Sequence, residues 1–209
     1  MIVGFEDYKN NYQFIVKGII HVGAHIGQEY QDYIDNFGQV DTHWFEPVPE
    51  VFETLSNNLK SKTGAYLYSF ALGEQEQVTE IFIDKGNDGQ SSSILKPKEH
   101  LDQFPHISFD IKNKVSINIK KLDDINIGDS NMLVLDTQGY ELSVLKGSRN
   151  TLNQIDYIFT EFNTIEMYEG CPKLEDLDLY LSEFGFERRE TWYTSQNWGD
   201  ALYIKNNLI

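Results

Sequence analysis

Gly18-Ile19-Ile20-His21-Val22 runs directly into Gly23-Ala24-His25-Ile26-Gly27. The first five residues have the composition of a short buried strand, and the next five carry two glycines where the chain must turn. Beyond the turn, Tyr30, Tyr33, Ile34 and Phe37 recur at helical spacing within residues 28–37. A glycine-bearing turn between a first strand and a first helix is where an adenosine cofactor approaches a doubly wound α/β sheet. A dinucleotide fingerprint anchored at Gly23 would need glycine at 25 and glycine or alanine at 28, but the chain has His25 and Gln28. A G-K-[ST] string is also missing, so a P-loop is excluded.

Working outward, Asp41-Thr42-His43-Trp44-Phe45 reads as a second strand and ends at Glu46-Pro47. A carboxylate at the end of that strand is suited to accept both ribose hydroxyls of an adenosine. Pro49 then opens a helix whose apolar face is Val51, Phe52, Leu55 and Leu59. Residues 66–70 alternate as a third strand and 78–83 as a fourth extended piece. Regular periodicity is lost over 84–109, a length of loop that is usually functional.

Val115, Ile117 and Ile119 lie on one face of an extended segment, and Met132-Leu133-Val134-Leu135 reads as a strand buried on both faces. A helix is expected over 139–147, a strand over 155–159 and an amphipathic helix over 174–184, stopped by Gly185. Two strands, 187–193 and 201–205, close the chain around a Trp/Asn/Gly turn. The order predicts one domain over 1–209, with a mostly parallel sheet, helices on both faces and an antiparallel strand near one edge. Residues 1–17 read as an extension and 84–109 as a substrate loop or lid.

The composition limits function. Seventeen Lys+Arg against 33 Asp+Glu give a net charge of −16, which argues against nucleic-acid binding. The same charge favours a neutral or lipid-linked glycan over a heavily phosphorylated one. The 13 Phe, 12 Tyr and 3 Trp suffice for a full core. Apolar runs fall short of the roughly 18–20 residues of a membrane span, and the opening residues lack a signal-peptide pattern. The single cysteine, Cys171, suits a reducing compartment, so a cytoplasmic location is expected.

Several strings together resemble the FkbM-type methyltransferases. They are 20–27, Phe45-Glu46-Pro47-Val48-Pro49, Ala71-Leu72-Gly73, Leu122-Asp123-Asp124, 135–147 and Gly199-Asp200-Ala201-Leu202-Tyr203. The resemblance spans about 18–205 and is most specific in the Phe-Glu-Pro string and in 136–147. It implies a Rossmann-like class I fold, S-adenosyl-L-methionine as cofactor, and methyl transfer to a hydroxyl of a sugar or glycoconjugate.

By the same resemblance Gly23, Ala24 and Gly27 line the methionine end of the cofactor. Glu46, next to Pro47, holds the ribose, and Phe70, Ala71 and Leu72 border the adenine. His21 stands where the family usually has an acidic residue, and its imidazole can still hydrogen-bond at the methionine end. His25 stands where the family often has Asn. The resemblance puts Asp136 beside the transferred methyl group. The Asp/Asn-Pro-Pro-aromatic string of many N-methyltransferases is missing after Asp136.

Methyl transfer to a hydroxyl needs positioning and a base within hydrogen-bond reach. Asp136, at the carboxyl end of the buried strand, is the first candidate, with a helix cap as its plainer role. Glu161, closing Phe159-Thr160-Glu161, is the second, with loop bracing as the alternative. Asp136, Glu161 and Asn163 are hard-cation ligand types, but no ligand spacing supports a metal site and none is assigned.

On the acceptor side the candidates are Ser92, Ser93, His100, Gln138, Asn163 and Asp200, with Trp192 or Trp198 able to stack on a sugar face. The alternatives are a non-catalytic adenosine-binding module and a methyltransferase of a non-sugar small molecule. Excision from a larger glycan-modifying polypeptide is a further expectation.

Overall fold

The computed structural model describes residues 12–109 and 114–208, so most of the expected extension lies outside the described residues. The described residues form ten strands and five α-helices. The first are β1 (Gly18–Val22), α1 (Tyr30–Phe37), β2 (Asp41–Phe45), α2 (Pro49–Leu59), β3 (Ala65–Tyr68), β4 (Ala71–Leu72) and β5 (Gln77–Ile81). Then follow α3 (Glu99–Gln103), β6 (Val115–Lys120), β7 (Met132–Leu135), α4 (Glu141–Lys146), β8 (Tyr157–Asn163), α5 (Leu174–Ser182), β9 (Phe186–Tyr193) and β10 (Trp198–Lys205).

Seven strands form the main sheet in the order β3-β2-β1-β7-β8-β10-β9. The first five run parallel, and β10 pairs antiparallel with both β8 and β9. The chain winds outward from β1 to β3, then returns to lay β7 on the other side of β1. That reversal opens a crevice at the carboxyl ends of β1 and β7, where open α/β sheets bind ligands.

Period-two alternation decides what each face buries. Ile20, Val22, Leu133, Leu135 and Ile158 pack on Val144, Leu145, Leu174, Leu177 and Leu181 of α4 and α5. Ile19, Trp44, Met132, Val134 and Phe159 pack on Tyr33, Leu55 and Leu59 of α1 and α2. Each such buried aliphatic side chain contributes about 1.5–3 kcal/mol relative to exposure. The expected mixed α/β fold with an antiparallel C-terminal hairpin is the one observed.

Three details differ from the sequence reading. Residues 66–70 are not one strand: β3 ends at Tyr68, and after Ser69 and Phe70 the chain joins a second, three-stranded sheet, β4-β6-β5. Alternation reports which face a residue takes, not which strand it pairs with. The helix expected from 139 begins at Glu141, because Gln138 and Gly139 have φ of 54° and 94°, outside the right-handed helix. The 84–109 loop is held by short bridges, Phe82 to Ser93, Asp84 to Phe109 and Pro97 to Tyr168, and it contains α3.

Candidate functional site

The turn after β1 is built by backbone before any side chain takes part. At the end of β1 the amides of Gly23 and Ala24 both donate to Phe45 O at 3.0 Å, and Asp136 N donates to Val22 O at 2.9 Å. The ends of β1, β2 and β7 are thereby drawn together. Gly23 has φ +83°, and a Cβ there would lie 1.8 Å from Asp136 O, so only glycine fits. Glu46 follows β2 directly. Its Oε2 accepts the His25 amide at 3.0 Å and its Oε1 accepts the Val48 amide at 2.8 Å. Each oxygen keeps a second lone pair. Burial pushes the Glu46 carboxyl up to about 7 against the pull of those two amides.

Above this turn lies a cavity of about 390 Å³, a size typical of small-molecule sites. Its inner wall carries a pair of carboxylates joined by one amide. Gln138 Nε2 donates to Asp136 Oδ1 at 2.8 Å and to the two Glu161 oxygens at 3.3 and 3.2 Å. The Tyr168 hydroxyl lies 3.0 Å from Gln138 Oε1, and Ser93 Oγ donates to Gln138 O at 2.7 Å. Burial, then the neighbouring charge of Asp136, pushes the Glu161 carboxyl well above its usual range. The bracing of this turn falls to Glu141, whose Oε1 accepts the amides of Thr137 and Gly139 and the Thr137 hydroxyl.

The far wall comes from β8 and β10. Asn163 faces Trp198 and Glu161 faces Asp200 in register, so these four residues share one face of the strand pair. Asn163 is 2% exposed, yet its Nδ2 has no partner; the same holds for Nδ1 of His100 and of His25. All three residues line the cavity, as do His106, Phe104 and Met167. The loop after β5 closes the top. The Asp84 carboxylate accepts the amides of Gly86, Asn87 and Ser91, while Asn87, Gly89, Gln90, Ser91 and Ser92 border the space. Among the described residues no Lys or Arg lines the cavity, and none of its carboxylates joins a group of three or more His, Cys, Asp and Glu suited to a metal ion.

Of the residues expected from sequence, Gly23, Glu46, Pro47, Ala71, Leu72, Asp136, Glu161, Ser92, His100, Gln138 and Asn163 line the cavity. His21, Ala24, Gly27, Phe70, Ser93 and Asp200 do not. His21 lies under the sheet, with Nδ1 2.8 Å from the Tyr33 hydroxyl and its ring stacked on Trp44 at 5.1 Å. Ala24 is fully buried in the α1/α2 core, and Gly27 packs beneath Leu55 and Leu59. The Phe70 ring meets Phe45 edge-on, and Ser93 spends its hydroxyl on Gln138. Asp200 is 1% exposed opposite Glu161 and adds to the rise of that carboxyl.

Trp198 lines the cavity, whereas Trp192 packs against the α1/α2 core. The sequence reading missed Tyr168 and the ring of His25 as site residues. Tyr168 lies 30 residues from Gln138 in a segment without a motif, so only the fold brings it there.

The family described as Methyltransferase FkbM domain matches residues 21–188. A curated relative, the 2-O-methyltransferase NoeI of Sinorhizobium fredii (strain NBRC 101917 / NGR234), is 26% identical over 175 residues, covering 78% of this chain and 71% of its own. Among solved structures, the methyltransferase FkbM from Methylobacillus flagellatus KT matches 93% of this chain with a TM-score of 0.62 at 19% identity. The chain spans 45% of that protein's length. Magnesium protoporphyrin IX methyltransferase (ChlM) from Synechocystis PCC 6803, solved with SAM bound, matches 95% of this chain and 74% of its own with a TM-score of 0.52 at 7% identity. Identities this low in the solved structures speak to the fold.

Proposed function

The chain belongs to the FkbM methyltransferase family and takes S-adenosyl-L-methionine as its cofactor, and from that premise we propose that it methylates a hydroxyl of an uncharged sugar or glycoconjugate. The residues at the β1 turn suit the cofactor: a glycine turn that brings β1 close to Asp136 at the cavity wall, a buried carboxylate with spare lone pairs, and apolar Leu72 and Val48 in the same lining. In this reading Glu46 accepts the ribose hydroxyls and the Gly23 turn holds the methionine end. When bound, the cofactor supplies an electrophilic methyl group on a sulfonium.

The observation that carries the acceptor reading is the Glu161–Asn163–Trp198 face, a carboxylate of raised pKa beside an unpartnered amide and an indole ring. Glu161 is the proposed base, accepting the hydroxyl proton on a carboxylate oxygen. Asp136, against the Gly23 turn, is on the cofactor side of the same pair. The Asn163 amide donates to a neighbouring acceptor oxygen, Trp198 stacks on the ring face, and Gln138 keeps the two carboxylates in position. Among the described residues the lining holds no Lys or Arg, which favours an uncharged acceptor over an anionic one. The NoeI relative, a 2-O-methyltransferase, supports oxygen as the acceptor atom.

The test is calorimetric titration with S-adenosylhomocysteine, followed by transfer of labelled methyl from the cofactor to neutral glycosides, uronates and amino sugars. Label in the O-methyl ethers of the neutral glycosides is expected. Label on nitrogen, or preference for the uronates, would overturn the reading.

A further inference from the structure

We propose that His25 is a positioning residue that couples the cofactor turn to the acceptor loop, so that filling the ribose site orders the loop above the acceptor. This rests on the reading of Glu46 as the ribose carboxylate. His25 makes two contacts in opposite directions. Its backbone amide donates to Glu46 Oε2 at 3.0 Å, and its ring Nε2 lies 2.8 Å from the carbonyl oxygen of Asp88 at the tip of the 84–92 loop. A carbonyl only accepts, so Nε2 carries the hydrogen, and Nδ1 is buried without a partner.

The loop itself is built to move as one piece. The Asp84 carboxylate gathers the amides of Gly86, Asn87 and Ser91, and Ser92 Oγ accepts the Asp84 amide at 3.0 Å. Its base is fixed through Ser93 Oγ to Gln138 O, the residue that joins Asp136 and Glu161. Its tip is tied to the cofactor turn by the His25 ring. The tie also forms part of the partition between the main cavity and a shallower cleft, since His25, Gln28, Val51 and Gln90 line both.

His25 has φ 45°, so the turn that holds its amide against Glu46 also aims its ring at Asp88. Hydroxyls bonded to Glu46 fix that turn and, through the ring, the loop tip. The acceptor site is then completed only over a bound cofactor. This ordering needs no motion of the sheet.

Hydrogen–deuterium exchange on the whole chain, with and without S-adenosylhomocysteine, tests the coupling. Wild-type protein is expected to gain roughly tenfold protection or more in the peptide covering 86–92 when the ligand binds. His25→Asn tolerates the left-handed backbone and keeps the amide to Glu46, but its side chain is too short to reach Asp88. That variant is expected to bind the ligand within roughly tenfold of wild type while losing the ligand-dependent protection of the loop. Asp88→Asn keeps the carbonyl and should retain it.

A ring that merely braced the loop would leave the ligand-induced increment intact in His25→Asn, and that result overturns the proposal. Ligand binding by wild type without any gain of loop protection also overturns it, independently of how the variants fold. Failure of wild type to bind the ligand removes the ribose-site reading and this proposal with it.

Discussion

Glu161 is the residue on which the proposed chemistry turns. Its carboxyl is buried at the cavity wall, faces the charges of Asp136, Glu141 and Asp200, and is held by the amide of Gln138. A base must be unprotonated to act, so raising its pKa moves the rising limb of the rate–pH profile above the ordinary carboxylate range. Glu161→Gln should lower kcat by on the order of 10²–10⁴-fold and leave S-adenosylhomocysteine affinity nearly unchanged. It should also remove that limb from whatever rate remains, as a pH series under saturating cofactor would reveal.

At this scale the sequence was readable where a residue sits at the end of a strand. Glu46 and Asp136 directly follow β2 and β7, whose ends meet at one crevice, and Glu161 reaches it from within β8, two residues before that strand ends. His21 could not be placed that way. One residue before the strand ends, the pleat turns a side chain to the opposite surface, and the packing of Tyr33 and Trp44 beneath it is a long-range fact.

Among the elements, the join of β1 and β7 at Gly23 carries the tightest constraint. Gly23→Ala must take up a left-handed backbone and move Asp136 O, which a Cβ would meet at 1.8 Å. The backbone strain alone is about 1–3 kcal/mol, and displacement of the Asp136 carbonyl adds to it. Chemical denaturation should register the loss, and calorimetry should register weakened S-adenosylhomocysteine binding. Wild-type stability and binding together in that variant would refute the close-approach account.

The apolar runs of β1 and β7 were recoverable from sequence, since burial on both faces leaves little polar pattern to confuse them, and β2 was marked by Trp44 and Phe45 before Glu46-Pro47. The β4-β6-β5 sheet was not recoverable. Its β5 and β6 were legible as extended segments, but β4 has two residues and pairs with β6 nearly 50 positions away, so no local pattern announces the pairing of Ala71 with Ile119.

The whole molecule carries a net charge of −16 and encloses carboxyls that burial pushes upward, Glu46 and Glu141 each to about 7. Above a raised folded-state pKa the native state holds a buried charge that the unfolded chain holds in water. Below the ordinary carboxylate value both states are neutral at that group. The stabilising difference is therefore present at low pH and lost as pH rises from about 4.5 to about 7. The loss is on the order of 3 kcal/mol for each group. Relief of like-charge repulsion acts in the same direction. The melting temperature of the ligand-free protein should be at least about 5 °C higher near pH 5.5 than near pH 8. A flat or opposite trend would show that these carboxyls are hydrated rather than enclosed.

The strand order also has a consequence in time. The Gly23–Glu46 turn takes its own residues from the first 48 positions, but the wall opposite needs β10 inserted antiparallel between β8 and β9, with Trp198 opposite Asn163. During synthesis from the amino end, the residues of that turn leave the ribosome first, and the indole arrives about 150 positions later. A nascent chain therefore carries the Gly23–Glu46 turn before β7, β8 and β10 exist to close the crevice around it.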